Sequence, residues 1–283
     1  MRVAYFTAGT VGAGHLVRGH AIGRALGRCG FTGEYRAFGP PVPYPVAADV
    51  AYRPVAVDAR ELRDPARAVG SEIATALAEF RPDLLLVDLF WAPMRHVLPS
   101  LGCEAWLLLR TCPRAWFDGP PDTRFEARQF RRIIGIEPFR HAVIRESVDP
   151  IVVGNPDECR PRTALRERLG VPDGQPLTVT MHAGLAGELA QLGADQAHRL
   201  DLFADDALFP VAEWLPGADR ILCAAGYNAF WEARWLGYAD RTRFTPLARK
   251  IDDQGWRVAN CAAHPMRANG ADTLAASILG RSA

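Results

Sequence analysis

The sequence predicts an α/β protein in which a strand, turn and helix plan is laid down twice. Three observations carry that expectation. The chain opens on a short apolar strand, a glycine-rich turn and an amphipathic helix; an α/β pattern restarts after a proline-marked break near 146–158; and an apolar run at 220–223 leads through a small-residue stretch into a further helix. With 283 residues and 49% hydrophobic content the chain is long enough for two modest domains.

Residues 2–7 read as a strand. The turn Ala8-Gly9-Thr10-Val11-Gly12-Ala13-Gly14-His15 follows, then a helix over about 16–28 with Val17, Ile22, Ala25 and Leu26 on its apolar face. Residues 33–38 read as a second strand, followed by a proline-rich loop at 39–45. This is a Rossmann-like βαβ unit with its glycine-rich turn on the ligand edge of the sheet. The same glycines also suit a helix that turns tightly against its sheet, so the pattern alone names no ligand. The second strand ends Phe38-Gly39-Pro40, without the acidic residue a dinucleotide ribose needs, which disfavours a nicotinamide oxidoreductase.

Residues 65–80 have helical periodicity, and 84–87 form a buried-strand run with Asp88 at its carboxyl end. Asp88 is there either as a functional carboxylate at the ligand edge or as the N-cap of a helix starting near Ala92. A strand at 105–109 leads to Arg110. Residues 125–134 read as a helix whose Arg124, Arg128, Arg131 and Arg132 suit an anionic acceptor, a membrane surface or plain solvent. Asp149-Pro150 and Asn155-Pro156 bracket a short strand at 151–153 and divide the chain into 1–148 and 149–283. Beyond lie a helix at 161–169, a strand at 177–181 and the turn His182-Ala183-Gly184-Leu185-Ala186-Gly187, which opens a further helix. A strand at 241–244, a helix at 253–263 and a terminal helix at 272–279 complete the reading.

Composition narrows the class. The 33 basic and 32 acidic residues give no reason to expect nucleic acid as a partner. The 6 cysteines are scattered, without a C-x-x-C pair, and suit reduced core thiols better than a disulfide framework or zinc site. No apolar run approaches the roughly 20 residues of a membrane span, and there is no signal-peptide pattern, so a cytoplasmic protein is expected.

The stretch 224–232, AAGYNAFWE, joins a strand to a helix N-terminus, where unpaired N–H groups and the positive end of the dipole attract phosphate. Gly226 lets a ligand approach the backbone, Asn228 offers an amide, and Glu232 lies one to two turns on. This is nucleotide-site chemistry.

Three patterns stand in order along the chain: GxGHxxR at Gly12, Gly14, His15 and Arg18; HAG at 182–184; and GYNxxxE from Gly226 to Glu232, followed by Asp253-Gln254. Together they resemble the GT-B nucleotide-sugar glycosyltransferases. The last resembles the donor signature of the UDP-dependent enzymes, the first the N-terminal loop of bacterial relatives of the lipid-II-forming N-acetylglucosaminyltransferase. The resemblance implies two Rossmann-like domains facing each other across a cleft, with the acceptor on 1–148 and the donor on 149–283. It implies diphosphate at Gly226 and Asn228, ribose at Glu232 and sugar hydroxyls at Asp253 and Gln254, with Tyr227 in place of the family's Trp. His182 and Gly184 join the donor set. Ala224 and Ala229 depart from it, standing where the family has a phosphate-contacting His and a Ser.

The implied reaction is inverting sugar transfer from a UDP-linked donor to an acceptor hydroxyl of a small molecule or lipid, with the nucleotide sugar as co-substrate and no other cofactor. His15 is the expected base, with Asp88 orienting it. The diphosphate charge falls to helix amides at Gly226 with His182 and Arg18. The sequence contains no Asp-x-Asp pair, so no metal is expected in that role. Two alternatives share the architecture: an epimerase or hydrolase acting on the nucleotide sugar, and a binding subunit without turnover.

Overall fold

The computed structural model describes residues 1–9, 13–42, 51–120, 123–182, 186–193, 197–200 and 208–281. The first half alternates strands and helices: β1 (Arg2–Phe6), α1 (Gly14–Arg28), β2 (Glu34–Gly39), β3 (Tyr52–Pro54), then the helices α2 (Ala59–Arg63), α3 (Pro65–Ala68) and α4 (Glu72–Phe80). Next come β4 (Leu84–Asp88), α5 (Leu98–Leu101), β5 (Glu104–Leu109), β6 (Arg132–Gly135) and β7 (Glu146–Ser147). The strands form one parallel sheet in the order β3-β2-β1-β4-β5-β6-β7. β4 is buried along its whole length, as its unbroken LLLVD sequence requires of a central strand covered on both faces.

The second half contains α6 (Arg162–Leu169), β8 (Thr178–Met181), β9 (His198–Arg199), β10 (Arg220–Ala224), α7 (Tyr227–Trp235), β11 (Thr242–Thr245), α8 (Gln254–Cys261) and α9 (Gly270–Ile278). Its strands form a smaller parallel sheet, β11-β10-β8-β9. The expected mixed α/β architecture with two parallel sheets is therefore the observed one.

Three local expectations are corrected. The helix expected over 125–134 is a single turn at Ala127–Gln129 followed by β6. Adjacent Ile133 and Ile134 favour a pleated strand, and Arg132 serves that strand, lying 4.1 Å over the Trp106 ring and pairing with Glu146. The arginines thus share no helix face. The periodic run over 65–80 is broken between α3 and α4, where Ser71 accepts from the Ala74 amide as a new N-cap. Residues 151–153 are buried but lie in no strand.

Alternation along β1 separates two cores. Ala4 and Phe6 face a cluster with α4, while Val3 and Tyr5 face α1 and join a cluster that continues through Ile151 and Val179 to Leu274 and Ile278. Gly19 allows α1 to lie directly on β1, because a Cβ there would stand 2.9 Å from the Tyr5 ring. Ion pairs edge the same seam: Arg28 reaches Asp272 at 2.6 Å and Glu158 at 3.2 Å, and Arg24 reaches Glu158 at 3.0 Å.

Candidate functional site

In the larger sheet β1 lies between β2 and β4, so the connections leaving β1 and β4 diverge and leave a crevice at their carboxyl ends. The strand order explains why residues far apart in sequence meet there. α1 starts after β1 and presents His15 and Arg18 in its first turns, while Asp88 ends β4. Asp88 is fully buried, and one of its oxygens, Oδ2, meets His15 Nδ1 at 2.7 Å and accepts from Arg18 Nε at 3.0 Å and Nη2 at 2.8 Å. The Tyr5 hydroxyl donates to the same oxygen. Asp88 caps no helix; its carboxylate is taken up by His15, Arg18 and Tyr5 instead. The next residue, Leu89, has φ of 66°, a left-handed conformation costly for a branched side chain and found mostly where surrounding structure enforces it.

Electrostatics set the state of this pair. Burial opposes ionisation of Asp88, but the adjacent Arg18 guanidinium and His15 hold its carboxyl well below the usual range. Burial, assisted by the Arg18 charge and opposed by Asp88, pushes His15 down to about 4. At neutral pH this is an ionised carboxylate beside a neutral imidazole. Arg18 Nη2 also approaches Nδ1, at 2.7 Å. The tautomer with Nδ1–H donating to Asp88 leaves Nε2 with a free lone pair, as a general base requires.

His15 and Arg18 line a cavity of about 600 Å³, within the range of small-molecule sites. Its other wall comes from the second sheet, from the ends of β8 and β10, α7 and the loop after β11. α7 begins at Gly226 with no side-chain cap. Asn228 donates to the Gly14 carbonyl at 2.9 Å and accepts from Arg18 Nη1 at 3.4 Å. The Tyr227 hydroxyl donates to Ile136 O at 2.6 Å and accepts from the Ile151 amide at 2.8 Å, while Arg18 lies 4.9 Å over its ring. Both residues line the cavity, yet their polar groups bind the two halves of the chain together.

Glu232 also lines the cavity, is 5% exposed, and has one carboxylate oxygen with no partner. Burial pushes its carboxyl up to about 7, with the Val153 amide opposing. Gln254 lines the cavity too, but its amide accepts from the Leu247 N–H at 2.9 Å and so shapes the loop. Asp253 stands apart from the other expected residues. It is exposed, it caps α8 by accepting from the Trp256 amide at 2.8 Å, and it is absent from the cavity wall, where Asp252 stands instead. His182 lines the cavity with Nε2 3.2 Å from Glu188. Gly14 lines it as well, whereas Gly12 and Gly184 lie outside the described residues.

Arg110 and Asp252 on the cavity wall join Glu137 and Arg257 behind it in one charge network. Arg110 follows β5, Glu137 follows β6, Asp252 ends the loop after β11, and Arg257 is on α8. Asp252 Oδ1 accepts from Arg110 at 2.8 Å and Arg257 at 2.6 Å, Glu137 accepts from Arg257 and, at 3.0 Å, from Trp231, and Arg257 donates to Ala225 O at 2.8 Å. Although burial opposes it, the two guanidiniums hold Asp252 at about 2. Arg110 was findable as the residue after a buried strand, by the reasoning that singles out Asp88. Glu137 carries no such signal, because the sequence around β6 reads as a helix and hides the strand end that it follows. Phe90, its ring 5.0 Å from that of His15, and Trp116 supply apolar wall beside the imidazole. Among the described residues no group of three or more His, Cys, Asp or Glu is placed to hold a metal ion, and no helix is long and apolar enough to cross a membrane.

No protein-family model and no curated protein matches this sequence. Solved structures do match in fold. The spinosyn forosaminyltransferase SpnP superposes with a TM-score of 0.59 at 15% identity, over 96% of this chain and 88% of that one. The Streptomyces sp. SF2575 glycosyltransferase SsfS6, complexed with thymidine diphosphate, gives 0.55 at 14% identity over 100% and 96%. Phytolacca americana UGT2, complexed with UDP-2fluoro-glucose and pterostilbene, gives 0.55 at 13% over 98% and 88%. The chain therefore has the two-sheet α/β fold of the GT-B glycosyltransferases.

Proposed function

We propose that this protein transfers a glycosyl group from a nucleotide sugar to an acceptor hydroxyl. The observation that carries the reading is a neutral imidazole backed by a buried carboxylate on one wall of a cavity whose opposite wall carries an uncapped helix N-terminus and a buried, half-satisfied Glu232. In the proposed step the acceptor oxygen attacks the anomeric carbon as its proton passes to His15 Nε2. The bond from that carbon to the diphosphate oxygen breaks, its electron pair leaving with the diphosphate, and the anomeric centre inverts. Asp88 keeps the imidazole in the productive tautomer and stabilises the imidazolium. The N–H groups at the start of α7 face the diphosphate, and Glu232 accepts from ribose hydroxyls.

Residues 1–148 would hold the acceptor and 149–283 the donor, with uridine or thymidine as the base, in keeping with the ligands of UGT2 and SsfS6. Asp252, not Asp253, is the acidic residue assigned to the sugar. Phe90 and Trp116 beside His15 suit an acceptor with a flat apolar body. Turnover is expected to survive a chelator, since helix amides and cavity cations carry the leaving-group charge.

The test is to incubate the protein with UDP- and dTDP-sugars, with and without a panel of hydroxylated aromatic acceptors. A glycosylated acceptor is the expected product. Donor consumed equally without acceptor makes the protein a hydrolase, and binding without any turnover makes it a non-catalytic subunit.

A further inference from the structure

The cavity is lined by four basic side chains, Arg18, Arg110, Arg249 and Lys250, and their partners differ. Arg18 is 2.8 Å from Asp88, Arg110 is 2.8 Å from Asp252, and Arg249 pairs with Glu188. Behind the wall Arg257 is paired with Glu137 and Asp252. Each guanidinium thus has a carboxylate of its own or shares one, and a substrate anion must compete with it. Lys250, the only lysine in the chain, has no hydrogen-bond or ion-pair partner among the described residues. It is exposed, and it sits on the loop after β11 within the wall that also contains Gly226 at the start of α7.

We propose that Lys250 is the anion-recognising side chain of this cavity, taking the charge of a substrate phosphate. This inference rests on the glycosyl-transfer reading for the identity of the ligand, though not for the presence of an anion site. A flexible ammonium on a mobile four-carbon stem suits a point contact with phosphate. It also needs no carboxylate to be displaced, whereas drawing Arg249 from Glu188 or Arg110 from Asp252 would cost a buried acid one of its ion-pair partners. The phosphate has two possible sources, the donor diphosphate and a phosphorylated acceptor.

The experiment is calorimetric titration of the wild-type protein, Lys250→Ala and Lys250→Arg with UDP, dTDP, the corresponding nucleosides and inorganic pyrophosphate. Folding of each variant is checked by its thermal transition. The expected result is that Lys250→Ala weakens nucleoside diphosphate and pyrophosphate roughly tenfold or more, leaves nucleoside binding unchanged, and is rescued by Lys250→Arg. Because the chain has a single lysine, acetylation of its ε-amine, read by mass spectrometry, should also be slowed by the same ligands. If donor binding is unchanged in Lys250→Ala while the apparent KM rises for phosphorylated acceptors alone, the anion belongs to the acceptor. Unchanged binding and unchanged KM for every anionic ligand overturns the inference and leaves glycosyl transfer standing. Lysine-dependent pyrophosphate binding with no nucleotide binding does the reverse, and no anion binding at all overturns both.

Discussion

His15 sits against a full negative charge on Asp88 and a full positive one on Arg18, both of them buried. Its use as a base makes a definite kinetic prediction. His15→Ala should lower kcat by about 10²–10⁴ while nucleotide affinity, measured by titration, stays within a factor of a few. With His15 at about 4, kcat at saturating donor should hold steady from pH 7 down to about 5 and fall as the pH passes through about 4. An acid limb near the ordinary histidine value that persists in wild type would show that burial does not depress His15, and the same limb surviving in His15→Ala would show that another group is the base. Glu232 titrates at the opposite end. Burial raises its pKa from 4.5 to about 7, so the stability tied to its neutral form is fully present below 4.5 and is lost as pH rises through about 7. Glu232→Gln should therefore be more stable than the wild type at pH 8, by up to about 3 kcal/mol, with the gap closing at pH 5; urea unfolding at both pH values checks this. The same variant should bind nucleoside diphosphate more weakly, and wild-type affinity should rise through pH 7 as the carboxylate forms.

At the scale of elements, α9 begins at a place that admits no side chain. A Cβ on Gly270 would lie 1.7 Å from the Asp149 carbonyl oxygen, and the Gly270 amide donates to Pro150 O at 3.0 Å. Gly270→Ala must move the start of α9 away from the 149–150 segment. A loss of at least about 1–3 kcal/mol in denaturant unfolding is expected, and an unchanged midpoint would show that the contact relaxes freely. Most elements were legible because each carried its own signal: the unbroken apolar run of β4, the 3.6-residue pattern of α1, the prolines around 149–156. β6 was not. Its four residues, RIIG, are too short to display a period, and the arginines before them imitate a solvated helix face. The strand exists because the edge of β5 was open to pair, a fact outside any local window.

For the whole molecule, the decisive feature is the core that runs from β1 and α1 into α9 and the second sheet. Tyr227, Asn228, Arg110 and Arg257 cross the same seam with hydrogen bonds. Two halves sharing a dry core should unfold as one unit. Ile22→Ala on α1 and Leu274→Ala on α9, both fully buried, should each cost about 2–5 kcal/mol and lower the same single calorimetric transition. Two resolved transitions, each sensitive to one variant, would refute a common core.

By itself the sequence determined the α/β plan, the two small-residue turns and nine of the residues that line the cavity, Gly14, His15, Arg18, His182, Gly226, Tyr227, Asn228, Glu232 and Gln254, since these depend on periodicity, turn chemistry and position at a strand end. It also raised Asp88 and His15 together, but gave no account of why they meet. Tertiary structure alone decided which polar groups remain free. Strand order put Asp88 against His15 and Arg18; packing across the seam turned Tyr227 and Asn228 inward to hold the halves; and a helix cap took Asp253 while Asp252 came to the wall. The physical reason is that a buried polar group must find its partners in space, and those partners here lie scores of residues away along the chain.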